Sequence, residues 1–434
     1  MTTNNPAKSH PATKSAPAKP AAAKPANSAK PAAAKDPLAG LRLDVDALID
    51  DPATAIVVCC GSGGVGKTTT AAALGLRAAE RGRKVVVLTI DPARRLAQSM
   101  GLTQLDNTPR VVKDVSGPGE LQAMMLDMKR TFDEVVLAHA DPERARQIME
   151  NPFYQSLSSG FAGTQEYMAM EKLGQLRAAG TWDLIVVDTP PSRSALDFLD
   201  APNRLGSFLD GRLIRILTAP AKVGGRSAMK FLNVGMTMFT GVLGKVLGAN
   251  VLQDLSTFVA AMDSMFGGFR ERADRTYQLL QAEGTAFLVV AAPERDALRE
   301  AAYFVDRLET DRMPLAGLVL NRVHRSGAPQ LTAERALAAA ETLEGPEHSD
   351  NSDASDGDAA ESAEVALPPE TEILAAGLLR LHADRVRTIT HERRMRDRFV
   401  SVYPDVPVVE VPALAGDVHD LEGLREIGER LASG

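Results

Sequence analysis

The amino-acid sequence predicts an α/β fold, a doubly wound and mostly parallel sheet with an inserted helical subdomain. Six short apolar runs recur along the chain, each followed by a helical pattern: TAIVVCC, KVVVLTI, DLIVVD, AFLVVAA, AGLVLN and VPVVEV. Continuous apolar strands separated by helices are typical of parallel sheets that are covered on both faces. A long helical stretch without a strand, residues 204–280, interrupts this alternation and predicts the subdomain.

Two segments of opposite charge have little apolar content. Residues 1–35 carry six lysines and no acidic residue, whereas residues 341–364 carry nine acidic residues and no Lys or Arg. Neither can bury much apolar surface, so we predict a disordered tail over residues 1–45 and a disordered insert over residues 341–370. The tail is interpreted as a solubilising tether, and a weak contact with anionic lipid or an acidic partner is the alternative.

Composition narrows the class of protein. The net charge is −7 and the core is mildly acidic, which gives no reason to expect a nucleic-acid partner, because phosphate binding needs a clustered basic face. Cys59 and Cys60 are the only cysteines, and being adjacent they supply neither a disulfide framework nor a CxxC zinc site. The N-terminus lacks the apolar core of a signal peptide. We predict a reduced, cytoplasmic protein, with peripheral membrane contact as an alternative.

The loop after the first strand predicts a nucleotide site. It satisfies G-x4-G-K-[ST] between a strand and an Ala-rich helix, the context that this phosphate-binding motif requires. Glycines let backbone N–H groups approach phosphates, Lys67 is expected to reach the β- and γ-phosphates, and the Thr68 hydroxyl is expected to bind Mg²⁺. The predicted binding residues are Gly61, Ser62, Gly63, Gly64, Val65, Gly66, Lys67, Thr68 and Thr69.

Two further motifs follow the second and third apolar runs, and with the loop they carry a family resemblance. DPARRL begins at Asp91 and DTPPSRSALDFL begins at Asp188. Together with GSGGVGKTT they resemble the deviant P-loop (Walker A), switch I and switch II of the ArsA/Get ATPases, which include arsenite-pump ATPases and targeting factors for tail-anchored membrane proteins. The resemblance covers roughly residues 50–434 and implies Mg-dependent ATP hydrolysis by a dimer.

The resemblance also implies roles for individual residues. Asp91 would orient the attacking water and Asp188 would hold Mg²⁺ through water; a simple helix N-cap is the alternative for Asp91. Asn321 and the loop at Val411 and Pro412 would contact the adenine. The amide of Asn321 suits this role because it can both donate and accept a hydrogen bond. Two weaker assignments are a polar support at Glu166, for which an ordinary surface Glu is the alternative, and an adenine-side segment at Pro293 and Glu294.

Departures from the family pattern suggest an unusual assembly. The signature lysine, which would reach the partner's phosphates across the dimer, is replaced by Ser62. Arg193 and Ser194 stand where Gly and His are expected in switch II, and Arg193 is either a new phosphate or partner contact or a solvated side chain. We predict a heterodimer with a paralogue that keeps the lysine, with a homodimer as the alternative. A soft arsenic site wants several thiolates, so metalloid pumping is not expected.

The 204–280 stretch contains a helical pattern that is apolar all round, residues 229–252. Such a helix is either buried inside the subdomain or opens as a surface for a hydrophobic client or membrane-associated protein. Membrane insertion is the less favoured alternative, because Asn233, Lys245 and four glycines interrupt the apolar pattern. The chain is thus divided into the tail, an ATPase domain of residues 46–203 and 281–434, the 204–280 subdomain and the acidic insert.

The predicted function is ATP hydrolysis that switches a dimer between conformations which expose or hide the helical subdomain. A nucleotide-sensing regulator with little turnover is the first alternative, favoured by Ser62. A positioning ATPase like the ParA/MinD relatives is the second alternative. The C-terminus of this sequence has no basic amphipathic membrane helix, which counts against that alternative.

Overall fold

The computed structural model describes residues 41–91, 95–152, 154, 155, 158, 164–190, 271–344 and 368–434. All of them lie in one compact unit, Leu38–Gly434. Most of the predicted tail, residues 204–270 of the predicted subdomain, the core of the acidic insert, and Arg193 and Ser194 lie outside these described residues.

The described residues form an eight-stranded sheet in the order β3-β4-β2-β5-β1-β6-β7-β8. Neighbouring strands run parallel except at the β3 edge, where β3 pairs antiparallel with β4. The strands are β1 (Ile56–Gly61), β2 (Lys84–Thr89), β3 (Arg110–Val111), β4 (Glu120–Met125), β5 (Leu184–Asp188), β6 (Thr285–Ala291), β7 (Leu315–Val323) and β8 (Val408–Pro412). The predicted α/β class with a doubly wound, mostly parallel sheet is confirmed, and all six predicted strands are present.

Helices of the described chain cover both faces of the sheet. Those before β5 are α1 (Val45–Asp50), α2 (Lys67–Glu80), α3 (Arg95–Ser99), α4 (Met128–His139), α5 (Pro142–Glu150) and α6 (Thr164–Ala179). Those after β6 are α7 (Arg295–Thr310), α8 (Ala333–Glu344), α9 (Pro369–Val402) and α10 (Leu421–Ser433). Aspartates cap several of them: the side chains of Asp44, Asp127, Asp141 and Asp420 each accept a hydrogen bond from a first-turn N–H.

Alternation along β1 divides the core into two apolar layers. Ile56, Val58 and Cys60 face one layer, while Val57 and Cys59 face the other. Helices α4, α6 and α7 pack in the first layer, and α1, α2 and α10 pack in the second. This is the doubly wound arrangement, in which a strand buried on both faces has no polar side and therefore reads as a continuous apolar run.

The borders of two predicted segments carry regular structure. Residues 271–281, at the end of the 204–280 stretch, are helical, and Ala273 and Leu280 are buried in the same layer as α6. Residues 341–344 belong to α8, and α9 begins at Pro369, so both edges of the predicted acidic insert are helix termini.

Helix α9 is by far the longest in the described chain, with 34 residues. Its middle packs against α8 through Ala383, Ala336 and neighbouring leucines, and its C-terminal turn packs Phe399 into the core. None of the helices in the described ranges combines the length and hydropathy needed to span a bilayer.

Candidate nucleotide site

The loop between β1 and α2 requires glycine at specific positions. Gly61 has φ +148°, and a Cβ there would lie 2.1 Å from the Val290 carbonyl oxygen on neighbouring β6. Gly66 has φ +98°, and a Cβ there would lie 2.3 Å from Nδ2 of Asn321. The loop therefore lies against the backbone of β6, which leaves no room for a side chain at Gly61, while at Gly66 the positive φ and the Asn321 amide disfavour one.

The N-terminus of α2 is open toward this loop. Gly66 is its N-cap residue, so no side chain satisfies the first-turn N–H groups. Unpaired N–H groups and the positive end of the helix dipole make an anion site, and a phosphate group satisfies both.

Lys67 is 5% exposed, and its ammonium group donates a 2.7 Å hydrogen bond to the backbone carbonyl of Ser62. Burial lowers the pKa of Lys67, and the negative charge of Asp188 opposes that shift. A buried cation thus closes the loop upon itself and is in place to meet a phosphate.

Asp188 is fully buried at the end of β5, beside the same loop. Its Oδ2 accepts hydrogen bonds from the Thr68 hydroxyl at 2.8 Å and the Thr89 hydroxyl at 2.9 Å. Its Oδ1 is buried without a hydrogen-bond partner among the described residues. Burial raises the pKa of Asp188 to about 6, although the two hydroxyls and Lys67 oppose the shift.

An unpaired buried carboxylate oxygen calls for a partner, and this one fits Mg²⁺. Mg²⁺ prefers oxygen ligands and is usually held by one or two protein groups together with phosphates and waters. The Thr68 hydroxyl uses its proton on Asp188, so both of its lone pairs remain for a cation. Thr68 and Asp188 therefore suit the cofactor that the sequence predicts for them.

Asp91 lies directly after β2, and its backbone N–H points to the Thr89 hydroxyl at 3.2 Å. The residue before it, Ile90, accepts a hydrogen bond from Nε2 of Gln165 at 3.0 Å. The same Thr89 hydroxyl thus touches the Asp188 carboxylate and the Asp91 backbone. The role predicted for the Asp91 carboxylate stays a prediction, and residues 92–94 of its motif lie outside the described chain.

The residues predicted for the adenine lie after β6, near the end of β7 and at the end of β8, three strands that are adjacent at one edge of the sheet. Asn321 is buried and donates from Nδ2 to the Val65 carbonyl in the phosphate loop at 2.8 Å. Pro412 ends β8, where its carbonyl accepts a hydrogen bond from Arg430. Pro293 is buried and Glu294 is exposed at the start of α7. Their contact with a base stays a prediction.

Glu166 lies in the first turn of α6, next to Gln165. It is partly buried, and its Oε2 has no hydrogen-bond partner among the described residues. The polar-support role is still a prediction. Sequence reasoning missed Thr89 and Gln165; the signal for Thr89 was a hydroxyl near the end of an apolar run, two residues before Asp91.

Both cysteines are buried in β1 and face opposite layers of the core. Burial raises the pKa of each thiol, that of Cys60 to about 12. Two protonated thiols on opposite faces of one strand cannot converge on a soft metal.

Comparisons with known proteins agree with this geometry. The sequence profile of the anion-transporting ATPase family matches residues 54–335, well over half of the chain. The chain is similar to ATPase GET3 of Malassezia globosa, at 24% identity over 276 residues, or 64% of this chain and 75% of that protein. It is also similar to ATPase ASNA1 homolog 2 of Paramecium tetraurelia, at 24% identity over 280 residues, or 64% and 78% of the two chains. ATPase GET3B of Arabidopsis thaliana is 26% identical over 288 residues, or 61% and 62%. The chain is therefore a member of the anion-transporting ATPase family, the ArsA/Get group of P-loop ATPases.

Proposed function

We propose that the protein hydrolyses ATP in a Mg-dependent reaction at the β1–α2 loop and uses the reaction to switch a dimer that carries a hydrophobic client. The observation that carries the catalytic part is the Asp188 carboxylate. One of its oxygens is held by Thr68 and Thr89, and the other is buried and unpaired within the described chain, beside an open helix N-terminus.

Binding of the triphosphate exchanges one set of contacts for another. The Lys67 ammonium group leaves the Ser62 carbonyl and pairs with the β- and γ-phosphates, while N–H groups of the Gly61–Thr69 loop and of α2 donate to phosphate oxygens. The ammonium group gains a charged partner in place of a neutral one, so the exchange favours the bound state.

In the hydrolytic step, Asp91 orients a water molecule toward the γ-phosphorus. A new P–O bond forms from the oxygen of that water, and the bond from the γ-phosphorus to the β–γ bridging oxygen breaks. One proton of the water stays on the phosphate, the other passes to solvent, and ADP and inorganic phosphate leave. Lys67 and the loop N–H groups stabilise the charge on the transferred group, which supplies most of the catalysis in phosphoryl transfer. Thr68 and Asp188 would hold Mg²⁺, which would supply charge neutralisation at the phosphate oxygens.

We propose further that the active assembly is a heterodimer with a paralogue which keeps the signature lysine; a homodimer is the alternative. Ser62 occupies the position of that lysine, and it is buried within the loop with its carbonyl against Lys67. A serine side chain carries no charge to a partner's phosphates, so the missing cation would have to come from the other chain.

The client is proposed to be hydrophobic, either a membrane-associated protein or a lipid-like molecule, bound by the 204–280 stretch in a cytoplasmic protein. The apolar pattern of residues 229–252 supports this, and those residues lie outside the described chain. The helix of residues 271–281 joins that stretch to the ATPase core through an ion pair between Arg272 and Glu171 of α6.

One second function is favoured by Ser62, namely nucleotide sensing without turnover. Both functions predict ATP binding, and phosphate release separates them. We expect the wild type with Mg²⁺ to release phosphate above a Lys67→Ala control, and EDTA to abolish the release. ATP binding without phosphate release, alone and with the paralogue, would favour the sensor.

A further inference from the structure

Glu392, in the last third of α9, has a buried carboxylate, and both of its oxygens contact one residue, His324, within the described chain. Its Oε2 accepts the backbone N–H of His324 at 2.9 Å, and its Oε1 lies 2.6 Å from Nδ1 of the same residue. The Glu392 side chain is 8% exposed. A buried carboxylate costs free energy unless it is well paired, and here both oxygens are committed to one short segment.

That segment begins at a strained bulge at the end of β7. Arg322 has φ +63°, which is unfavourable for a residue with a side chain. The pairing of β7 with β8 shifts register between Asn321 and Val323. Bulges re-aim neighbouring side chains, and the side chain before this one, Asn321, reaches the Val65 carbonyl of the phosphate loop at 2.8 Å.

Strained backbone persists only where its surroundings hold it. Three polar side chains on one face of α9 hold the chain just after the bulge. Glu392 binds His324, Arg385 donates to the Arg325 carbonyl at 2.9 Å, and His382 lies 2.9 Å from the Leu331 carbonyl. Of the three, Glu392 contacts the residue closest in sequence to Asn321, and it is the only buried one.

We propose that Glu392 is a positioning residue for nucleotide recognition. By clamping His324 it fixes the bulge, and the bulge holds Asn321 against the phosphate loop where the base is to be read. This inference rests on the proposed function, because it takes Asn321 as the contact to adenine. Glu392 itself touches no nucleotide; it acts through His324 and the backbone between.

The test is the affinity of the full-length protein for ATP and for GTP, measured by titration calorimetry with Mg²⁺ for the wild type and for variants. Glu392→Ala is expected to weaken ATP binding about fivefold or more, the scale of losing one neutral hydrogen bond between Asn321 and the base, and to narrow the preference for ATP over GTP. Glu392→Gln is expected to restore both, because its amide accepts the backbone N–H and donates to a neutral imidazole.

Two comparisons separate positioning from general packing. Glu344→Ala removes the ion pair to Arg380 in the N-terminal half of α9 and is expected to leave both affinities unchanged. The pair Glu392→Ala with Asn321→Ala is expected to be no worse than Asn321→Ala alone, because the two residues act in series. If Glu392→Ala does not fold, the same two affinities are measured for His324→Ala, which removes the contact between the His324 ring and Glu392.

The outcomes are distinct. A wild type that does not bind ATP contradicts the proposed function itself. A wild type that binds and prefers ATP, with Glu392→Ala or His324→Ala indistinguishable from Glu344→Ala, overturns the inference alone. Additive losses in the double variant also overturn it, since they place Glu392 outside the Asn321 pathway.

Discussion

The hydroxyl of Thr68 donates a 2.8 Å hydrogen bond to Oδ2 of Asp188, across 120 residues of sequence. This bond joins the start of α2 to the end of β5 and leaves Oδ1 of Asp188 buried and unpaired in the described chain. The arrangement predicts that the buried Asp188 carboxylate lowers the stability of the fold without a cation and binds a cation when one is present.

Asp188→Asn is expected to lower Mg-dependent phosphate release about 100-fold, the scale of losing one preorganised electrostatic contact. Asparagine keeps the shape and the bonds to Thr68 and Thr89 but lacks the charge. The rate of phosphate release, measured against Mg²⁺ concentration for the variant and the wild type, tests this expectation. Activity equal to that of the wild type would remove Asp188 from the proposed metal site.

The raised pKa of Asp188 predicts a pH dependence of the ligand-free fold. The folded pKa is about 6, above the ordinary value, so between the two values the native state binds the proton more tightly than the unfolded state. Stability from this group is therefore full at acid pH and is lost as pH rises toward 6, by about 2 to 3 kcal/mol in all. Denaturant unfolding from pH 4 to 7 with EDTA measures the free energy of unfolding of the wild type and of Asp188→Asn. The decrease in stability with pH that Asp188 contributes should be missing in the variant.

Replacing Ser62 with lysine restores the charge that the family pattern carries at this position. We expect Ser62→Lys to raise phosphate release by the isolated protein at least about tenfold, because a trans cation stabilises the transferred phosphoryl group. Its rate should also rise with protein concentration as dimers form. Ser62→Ala is the matched control, and a lysine variant no faster than this control would contradict the missing-lysine hypothesis.

Gly61 and Gly180 both have positive φ but differ in their surroundings. A Cβ at Gly61 meets the Val290 carbonyl at 2.1 Å, whereas nothing lies within 4 Å of one at Gly180. Gly180→Ala is expected to cost about 1 kcal/mol of unfolding free energy, and Gly61→Ala about 3 kcal/mol or more together with loss of ATP binding. Equal losses in chemical denaturation would mean that the loop is not wedged against β6.

Buried Glu171 predicts a stability effect at the helix of residues 271–281. Arg272 donates a hydrogen bond to the Glu171 carboxylate at 3.0 Å, and the Tyr167 hydroxyl donates another at 3.2 Å. Arg272→Ala leaves that carboxylate without its cation and is expected to cost about 3 kcal/mol. Arg387→Ala, which removes an exposed pair with Asp384, should cost under about 0.5 kcal/mol. Similar costs in urea unfolding would contradict a structural role for the Glu171 pair.

How far the sequence predicts the fold depends on burial. Of the six predicted strands, β1, β2, β5 and β6 are buried along nearly their whole length, and their apolar runs are therefore continuous. Strand β8 alternates between buried and partly buried residues, and its sequence still predicts a strand because it is rich in valine. The missed strand β4, ELQAMM, alternates between buried and partly exposed residues, and β3 is two exposed residues at the sheet edge. Such short or half-exposed strands are defined by their neighbours more than by their own residues.

The candidate site divides in a similar way. Local motifs predict the phosphate loop, Lys67, Thr68, Asp91 and Asp188, because each lies at or just after the end of a strand at the carboxyl edge of the sheet. The roles of Thr89, Gln165 and the Glu392 clamp arise from contacts between distant segments, which no local pattern reports. The bulge at Arg322 is likewise a consequence of pairing with β8.

Single-turnover hydrolysis by Asp91→Asn tests the central claim most directly. With Mg²⁺ and limiting ATP, and with the paralogue present if the chain alone is inactive, the variant should bind ATP as tightly as the wild type, because the phosphate loop is intact. Its phosphate release should fall at least about 100-fold, because the attacking water is no longer oriented. A variant that releases phosphate at the wild-type rate would contradict the assignment of Asp91 and the proposed mechanism.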